Sequence, residues 1–222
     1  MAKILVNHLK KNYSKIKSIK HDYEELTVHI NAEDLISFAT ALKADPALQF
    51  NQLIDVCGID YLHYQQDEWA TNHPTKTGYS RARTTIQPNQ NEIKQGRFAV
   101  VYHLLSTVKN HRIRLIVRLS KPQLQVPSIC ALWPSANWFE RETYDLFGIE
   151  FSDHPDLRRI LTDYGFNGHP FRKDFPVHGK VAMRYDGKQQ KCVYEPTDIQ
   201  PRNVIPKSIR PDNRYLHEDL YQ

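Results

Sequence analysis

RFAVVYHLLSTVKNHRIRLIVRL, residues 97 to 119, decides the fold class. The run from Phe98 to Leu105 is almost continuously apolar. From His111 the order alternates, with Ile113, Leu115, Val117 and Leu119 set against Arg112, Arg114, Ile116 and Arg118. Successive side chains of a strand point to opposite faces, so this period of two puts four aliphatics on one face and three guanidinium groups on the other. With the link Val108 to Asn110 between them, the two runs predict an antiparallel hairpin. Its sheet carries a core face covered by helices and a mostly cationic outer face.

Upstream, ELTVHI alternates Leu26, Val28 and Ile30 with Thr27 and His29, which is a strand. QLIDVCGIDYL, residues 52 to 62, reads as another passing into a turn or bulge at Gly58. Between them Asn31 is placed to cap a helix with Glu33 and Asp34 in its first turn. Leu35, Ile36, Phe38, Ala39 and Leu42 form its buried stripe, and Pro46 follows its end. The start, AKILVNHLKKNYSKI, sets Ile4, Leu5, Leu9, Tyr13 and Ile16 at helical spacing among lysines. Residues 65 to 95 are polar and aperiodic, with Pro74, Gly78 and Pro88, and read as an exposed insertion. Downstream, Ser128 can cap a turn leading to Trp133. Pro134 and Ser135 open a helix through Leu146, and Gly148 is its left-handed terminator.

These elements predict an α+β domain over residues 1 to 148, a small mixed or antiparallel sheet with helices on one face. A docking segment follows over 149 to 179, then an extended Pro-rich C-terminal arm over 180 to 222. In the arm Pro196, Pro201, Pro206 and Pro211 recur every five residues. Such spacing keeps a chain out of helices and central strands. Val193, Tyr194, Ile199, Val204, Ile205 and Ile209 are its apolar anchors.

The net charge of +5 points first to nucleic acid, but residues 1 to 20 hold six lysines and no acid, so the other 202 residues sum to −1. The basicity is that of a solvated first helix, not of the fold. The first arginine is Arg81, and the start has neither the Arg and Ser content of a transit peptide nor the apolar core of a signal peptide. It is therefore read as mature sequence. No apolar run approaches the roughly 18 to 20 residues of a spanning helix, so membrane association is expected only through a partner. Cys57, Cys130 and Cys192 lie far apart without a CxxC, a pattern of free thiols that encodes no iron-sulfur or zinc site.

Residues 134 to 176 combine eight acids and five bases with nine Trp, Tyr and Phe rings. Glu140 and Glu142 diverge on a helix, whereas Arg141 and Asp145, or Glu142 and Asp145, share faces, so ion pairing is a simpler use of these acids than acid-base catalysis. His154 and His169 with Asp153, Asp156 and Asp174 could make a metal-dependent hydrolase, yet their spacing fits no compact metal motif. The His-Pro pairs read instead as turns, with Asp153 or His154 capping a helix at Pro155. A basic RNA-binding module is a third reading, but acids outnumber bases in this segment, which repels phosphate. No phosphate loop or nucleophile elbow is present.

ERETYDLFGIEFSDHPDLRRILTDYGFNGHPFRKDFP, residues 140 to 176, resembles the signature of the 30-kDa subunit family of respiratory NADH:quinone oxidoreductase, the C-type subunit of complex I. QLIDVCGIDYL, the hairpin, VPSICALWPSANWF, KVAMRYD and the proline-spaced tail extend the resemblance over most of the chain, and residues 65 to 95 look unlike it. It implies a peripheral-arm component of a proton-translocating translocase that works in assembly, packed against the quinone-site D-type subunit and the iron-sulfur subunits of B and I types. It also implies no catalytic residue and no cofactor in this chain, while the complex uses FMN, iron-sulfur clusters, NADH and quinone. The implied place is the cytoplasmic side of a bacterial inner membrane, or the matrix side in a mitochondrial homologue. Membrane-bound hydrogenases carry an equivalent subunit. The signature residues are Trp138, Glu140, Arg141, Glu142, Asp145, Phe147, Gly148, His154, Pro155, Arg158, Arg159, Asp163, Tyr164, Gly165, Phe166, Gly168, Pro170, Arg172, Lys173, Asp174 and Pro176, expected to serve structure and interfaces.

Overall fold

A computed structural model describes residues 2–62, 64, 74–75, 78–79, 96–119, 124–176, 179 and 181–197. In chain order the elements begin with α1 (Ala2–Asn12), β1 (Ser18–Asp22), β2 (Glu25–Ile30), a 3-10 turn, α2 (Leu35–Ala44) and β3 (Gln52–Asp60). They continue with β4 (Pro74–Thr75), β5 (Gly78–Tyr79), β6 (Phe98–Ser106), β7 (His111–Leu119), β8 (Gln125–Pro127) and α3 (Ala136–Phe147). β9 (Glu150–Ser152), β10 (Val181–Asp186) and β11 (Lys191–Pro196) complete the described elements. The chain divides into two units, Met1–Asp67 with Thr85–Phe175, and Glu68–Thr84 with Pro176–Gln222.

The large unit is an α+β fold built on a five-stranded mixed sheet in the order β1-β2-β7-β6-β3. β6 and β7 pair antiparallel from Phe98↔Leu119 to Ser106↔His111, as the alternation requires. The register aligns Val100 with Val117 and Tyr102 with Leu115, while parallel pairing of β2 on β7 adds Val28 and Ile30 to the same face. On that face Leu9 of α1 and Leu35, Phe38, Ala39 and Leu42 of α2 are buried, and Ala136 of α3 joins the same core. Arg112, Arg114 and Arg118 occupy the opposite face. There Arg114 donates to Thr27 Oγ1 at 2.8 and 3.0 Å, and the Arg118 guanidinium lies 3.5 Å from the Tyr61 ring centroid.

Several local expectations are corrected. Ile36 is exposed because the α2 stripe narrows to four residues. Asn31 makes no capping bond, since its side-chain amide donates to Asp34 instead. α1 ends at Asn12, so Tyr13 and Ile16 pack on the core from the following segment; the side chain of Ile4 lies outside the described residues. β1 was not anticipated. It joins β2 through Tyr23 and Glu24, both left-handed at φ 51° and 63°, a two-residue hairpin geometry for which Asn-Gly would be the sequence cue. The bulge in β3 falls at Ile54, not Gly58. Gly58 instead lets Phe147 lie on the strand, with a Cβ there meeting the ring at 2.6 Å.

In the second unit the segment expected to be wholly extended forms an antiparallel hairpin, with β10 paired to β11 from Val181↔Pro196 to Asp186↔Lys191. Arg184 and Glu195 pair on one face at 2.9 Å. Val181, Met183, Tyr185 and Tyr194 stand exposed on the other. Pro201, Pro206 and Pro211, the anchors from Ile199 to Ile209 and nearly all of the 65 to 95 insertion lie outside the described residues.

Candidate functional site

α3 organises the signature segment. Ala136, Glu140, Thr143 and Phe147 recur at helical spacing toward the sheet, and Thr143 Oγ1 donates to the Val56 carbonyl at 3.4 Å. The helix ends where Gly148 adopts φ 69° and its N–H donates to the Tyr144 carbonyl at 2.8 Å, the predicted terminator. Its start carries no side-chain cap from Ser135. Ser128 does cap its turn, accepting from the Cys130 N–H at 3.2 Å.

Two carboxylates on this helix are fully buried and have opposite fates. Asp145 accepts from the N–H groups of Ile160, Leu161 and Thr162 at 2.8 to 3.0 Å, from the Thr162 hydroxyl, and from Arg159 Nη1 at 2.9 Å. Burial opposes its charge, but these donors outweigh burial and hold the carboxyl well below the usual range. Arg159 is secured in turn by the Gly168 carbonyl at 3.0 Å. One carboxylate thus pins the 158 to 168 loop to the helix.

Glu140 accepts from Ser128 Oγ at 2.6 Å, the Ile129 N–H at 2.8 Å and Cys130 Sγ at 3.4 Å. Here burial dominates and pushes its pKa up. Cys130, Glu140 and His154 bring donor atoms within 4.8 Å of one another, the spacing a metal site would need. The residues do not fit one. The Asp156 N–H donates to His154 Nδ1 at 3.0 Å, so Nε2 carries the ring proton and donates to the Asn137 carbonyl at 3.2 Å. No nitrogen lone pair remains, and the thiol and carboxylate already bond each other. His169 is not in this group. Its Nδ1 donates to the Asp145 carbonyl at 2.9 Å, so the structure separates the two histidines of the hydrolase reading. Nor does a helix start at Pro155, where the chain makes only a turn.

A second anchor joins the end of the signature to the sheet. Arg97 Nη2 meets Asp60 at 2.6 Å and Nη1 meets Asp174 at 2.9 Å, while the Lys173 N–H donates to Asp60 at 2.9 Å. The sequence reading missed Arg97 and Asp60. They face each other because β3 and β6 pair Asp60 with Phe98, a register that no local pattern records. Arg172 Nε donates to the Phe147 carbonyl at 2.6 Å, and its guanidinium carbon lies 5.1 Å from the Phe98 ring centroid.

The expected i, i+4 pair does not form. Arg141, buried against the exposed Trp138 ring, donates to the carbonyls of Arg158 and Arg159 and leaves Asp145 to Arg159. Glu142 faces solvent, apart from Asp145. Arg158 pairs with Asp156 at the surface at 2.8 Å. Asp163 accepts from the Tyr164 N–H, and Phe166 stacks on Phe175 at 5.8 Å, close beside Gly168 at φ 104°. Pro155, Gly165 and Pro176 are exposed and Pro170 half-buried. Trp138, Leu161, Tyr164 and Phe171 are left uncovered on this otherwise hydrogen-bonded segment.

The family described as "Respiratory-chain NADH dehydrogenase, 30 Kd subunit" matches residues 28–181. The chain belongs to that family. This 30-kDa-subunit member is 52% identical over 201 residues to the C-type NADH-quinone oxidoreductase subunit of Legionella pneumophila (strain Corby), spanning 90% of this chain and 88% of the relative. It is 50% identical over 203 residues to the protein of the same name from Coxiella burnetii (strain Dugway 5J108-111), spanning 91% and 89%. The chain is a subunit of NADH-quinone oxidoreductase. A solved structure titled "Structure of the membrane-bound sulfane sulfur reductase (MBS), an archaeal respiratory membrane complex" shares the fold at TM-score 0.58 and 19% identity, over 86% of this chain and 98% of the other. Among the described residues no helix is long and apolar enough to cross a membrane.

Proposed function

We propose that this NADH-quinone oxidoreductase subunit acts in assembly, as a peripheral-arm component that holds the quinone-site D-type subunit and the iron-sulfur subunits of B and I types in register. The observation that supports this is the pairing of internal rigidity with external apolarity in residues 136 to 175. Asp145, Arg159, Arg97 and Asp60 fix the segment from within, while Trp138, Leu161, Tyr164 and Phe171 remain exposed. Exposed rings on an internally hydrogen-bonded segment are the composition of an interface core, where Trp and Tyr dominate binding energy.

FMN, iron-sulfur clusters, NADH and quinone then belong to the neighbouring subunits. Three cysteines cannot supply the four thiolates of a cluster, and the Cys130 group is closed by its own hydrogen bonds. The subunit sits on the cytoplasmic side of the bacterial inner membrane through those partners. The test is purification of the complex from detergent-solubilised membranes of strains carrying Trp138→Ala or Tyr164→Ala. Less assembled complex with unchanged turnover per assembled complex is expected. Full assembly with lost turnover would instead assign these residues to the reaction.

A further inference from the structure

We propose that Arg172 and His169, side by side against Gly148, form a notch that binds a carboxylate side chain of a neighbouring subunit. This inference rests on the assembly role proposed above. A Cβ at Gly148 would lie 2.5 Å from both Arg172 Nη2 and His169 Nε2, so the two nitrogens share one small space over the glycine. Each group is already held by its far end, Arg172 through Nε to the Phe147 carbonyl and His169 through Nδ1 to the Asp145 carbonyl. The atoms left over are the two Nη groups and Nε2, and among the described residues none of them has a hydrogen-bond partner. With Nδ1 fixed by its own donation, Nε2 is the ring atom left facing an arriving group, and the Arg172 Nη groups supply the donors.

Close ion pairing is uneven in the same place. Arg97 is neutralised by Asp60 and Asp174, but Arg172 has no carboxylate partner among the described residues. Burial is the largest influence on Arg172 and pushes its pKa down, with Arg97 adding to it, while Asp174 and Asp60 pull the other way from beyond ion-pair distance. A planar fork whose Nε is occupied presents its two Nη groups end-on, and the two coplanar oxygens of a carboxylate match them.

The same surroundings disfavour phosphate. The notch lies at the carbonyl end of α3 in a segment of eight acids to five bases, surroundings that oppose a doubly charged phosphate more than a singly charged carboxylate. Phe171, 58% exposed and edge-on to Phe147 at 5.9 Å, offers an apolar rim suited to a protein partner.

The test uses complex isolated from membranes of a strain carrying Arg172→Lys together with Lys173→Arg, with the Lys173→Arg strain as background. A carbodiimide joins an amine to a carboxylate in contact, and the joined peptides are identified by mass spectrometry. The expected result is a link from position 172 to an Asp or Glu of another subunit, absent from the background. Assembled complex without that link, or a link to residues 197 to 222 of this chain, overturns the proposal. If the double variant does not assemble, Phe171 is replaced by a photoreactive benzoyl-phenylalanine. Capture of another subunit's segment containing Asp or Glu then supports the notch, and capture of lipid or of a segment without either overturns it. Failure of the assembly role reads differently, because the unaltered chain itself would then not co-purify with the other subunits.

Discussion

Asp145 and Glu140 stand on the same helix and are equally inaccessible, yet their carboxyl groups are shifted in opposite directions by what meets them. Asp145 gathers three backbone N–H groups, a hydroxyl and a guanidinium, and its pKa is depressed. Its contribution to stability is therefore complete above the ordinary aspartate value of about 3.9 and falls away as the pH drops toward its lower folded value. Asp145→Asn should destabilise the large unit by roughly 3 kcal/mol at neutral pH, because it leaves Arg159 without its counter-charge. In urea unfolding followed against pH, the gap between variant and unaltered chain should close on acidification; a pH-independent gap would refute the account. Glu140 has the opposite sign. Its raised pKa gives a contribution that is full below about pH 4.3 and is lost as the pH rises through the folded value. The Glu140→Gln chain should accordingly gain on the unaltered one as the pH rises from about 4 toward neutrality, in the same unfolding series.

The C-terminal turn of α3 packs directly on β3 at Gly58. Phe147 fits over Gly58 so closely that a Cβ would approach its ring to 2.6 Å, and the ring also meets Phe171 edge-on at 5.9 Å. Gly58→Ala should then lift the C-terminal turn of α3 from the sheet at a cost of about 1 to 3 kcal/mol. Pairing it with Phe147→Ala in a double-mutant cycle should recover part of that loss, since the clash disappears with the ring. Strict additivity in thermal unfolding would mean that the two residues do not touch. The edge hairpin illustrates the limit of local cues at this scale. Tyr23 and Glu24 are poor left-handed residues, and their turn is selected by pairing of β1 with β2 rather than by turn chemistry.

The whole chain is two units with different kinds of surface. The large one has a continuous core from Leu5 to Phe151, whereas the β10-β11 hairpin exposes Val181, Met183, Tyr185 and Tyr194, and a lone two-stranded hairpin is marginal in water. A chain ending at residue 179 should keep a cooperative unfolding transition for the large unit. It should also be incorporated into the complex less well than the full chain, measured as the fraction co-purifying with the other subunits. Unfolding of the shortened chain, or unchanged incorporation, would refute this division.

Period-two alternation in residues 25 to 30 and 111 to 119 and the glycine at 148 were enough to place β2, β7 and the end of α3, because strand faces and helix termination are set by neighbours within a few residues. The 140 to 176 signature was enough to place the chain in its family. Tertiary structure alone decided that β2 runs parallel to β7, that Arg97 bridges Asp60 to Asp174, that Arg159 and not Arg141 takes Asp145, and that Arg172 spends its Nε on the Phe147 carbonyl. Each of these depends on which distant residues share a buried space. A charged side chain takes its partner from that space, and its neighbours in sequence do not specify it.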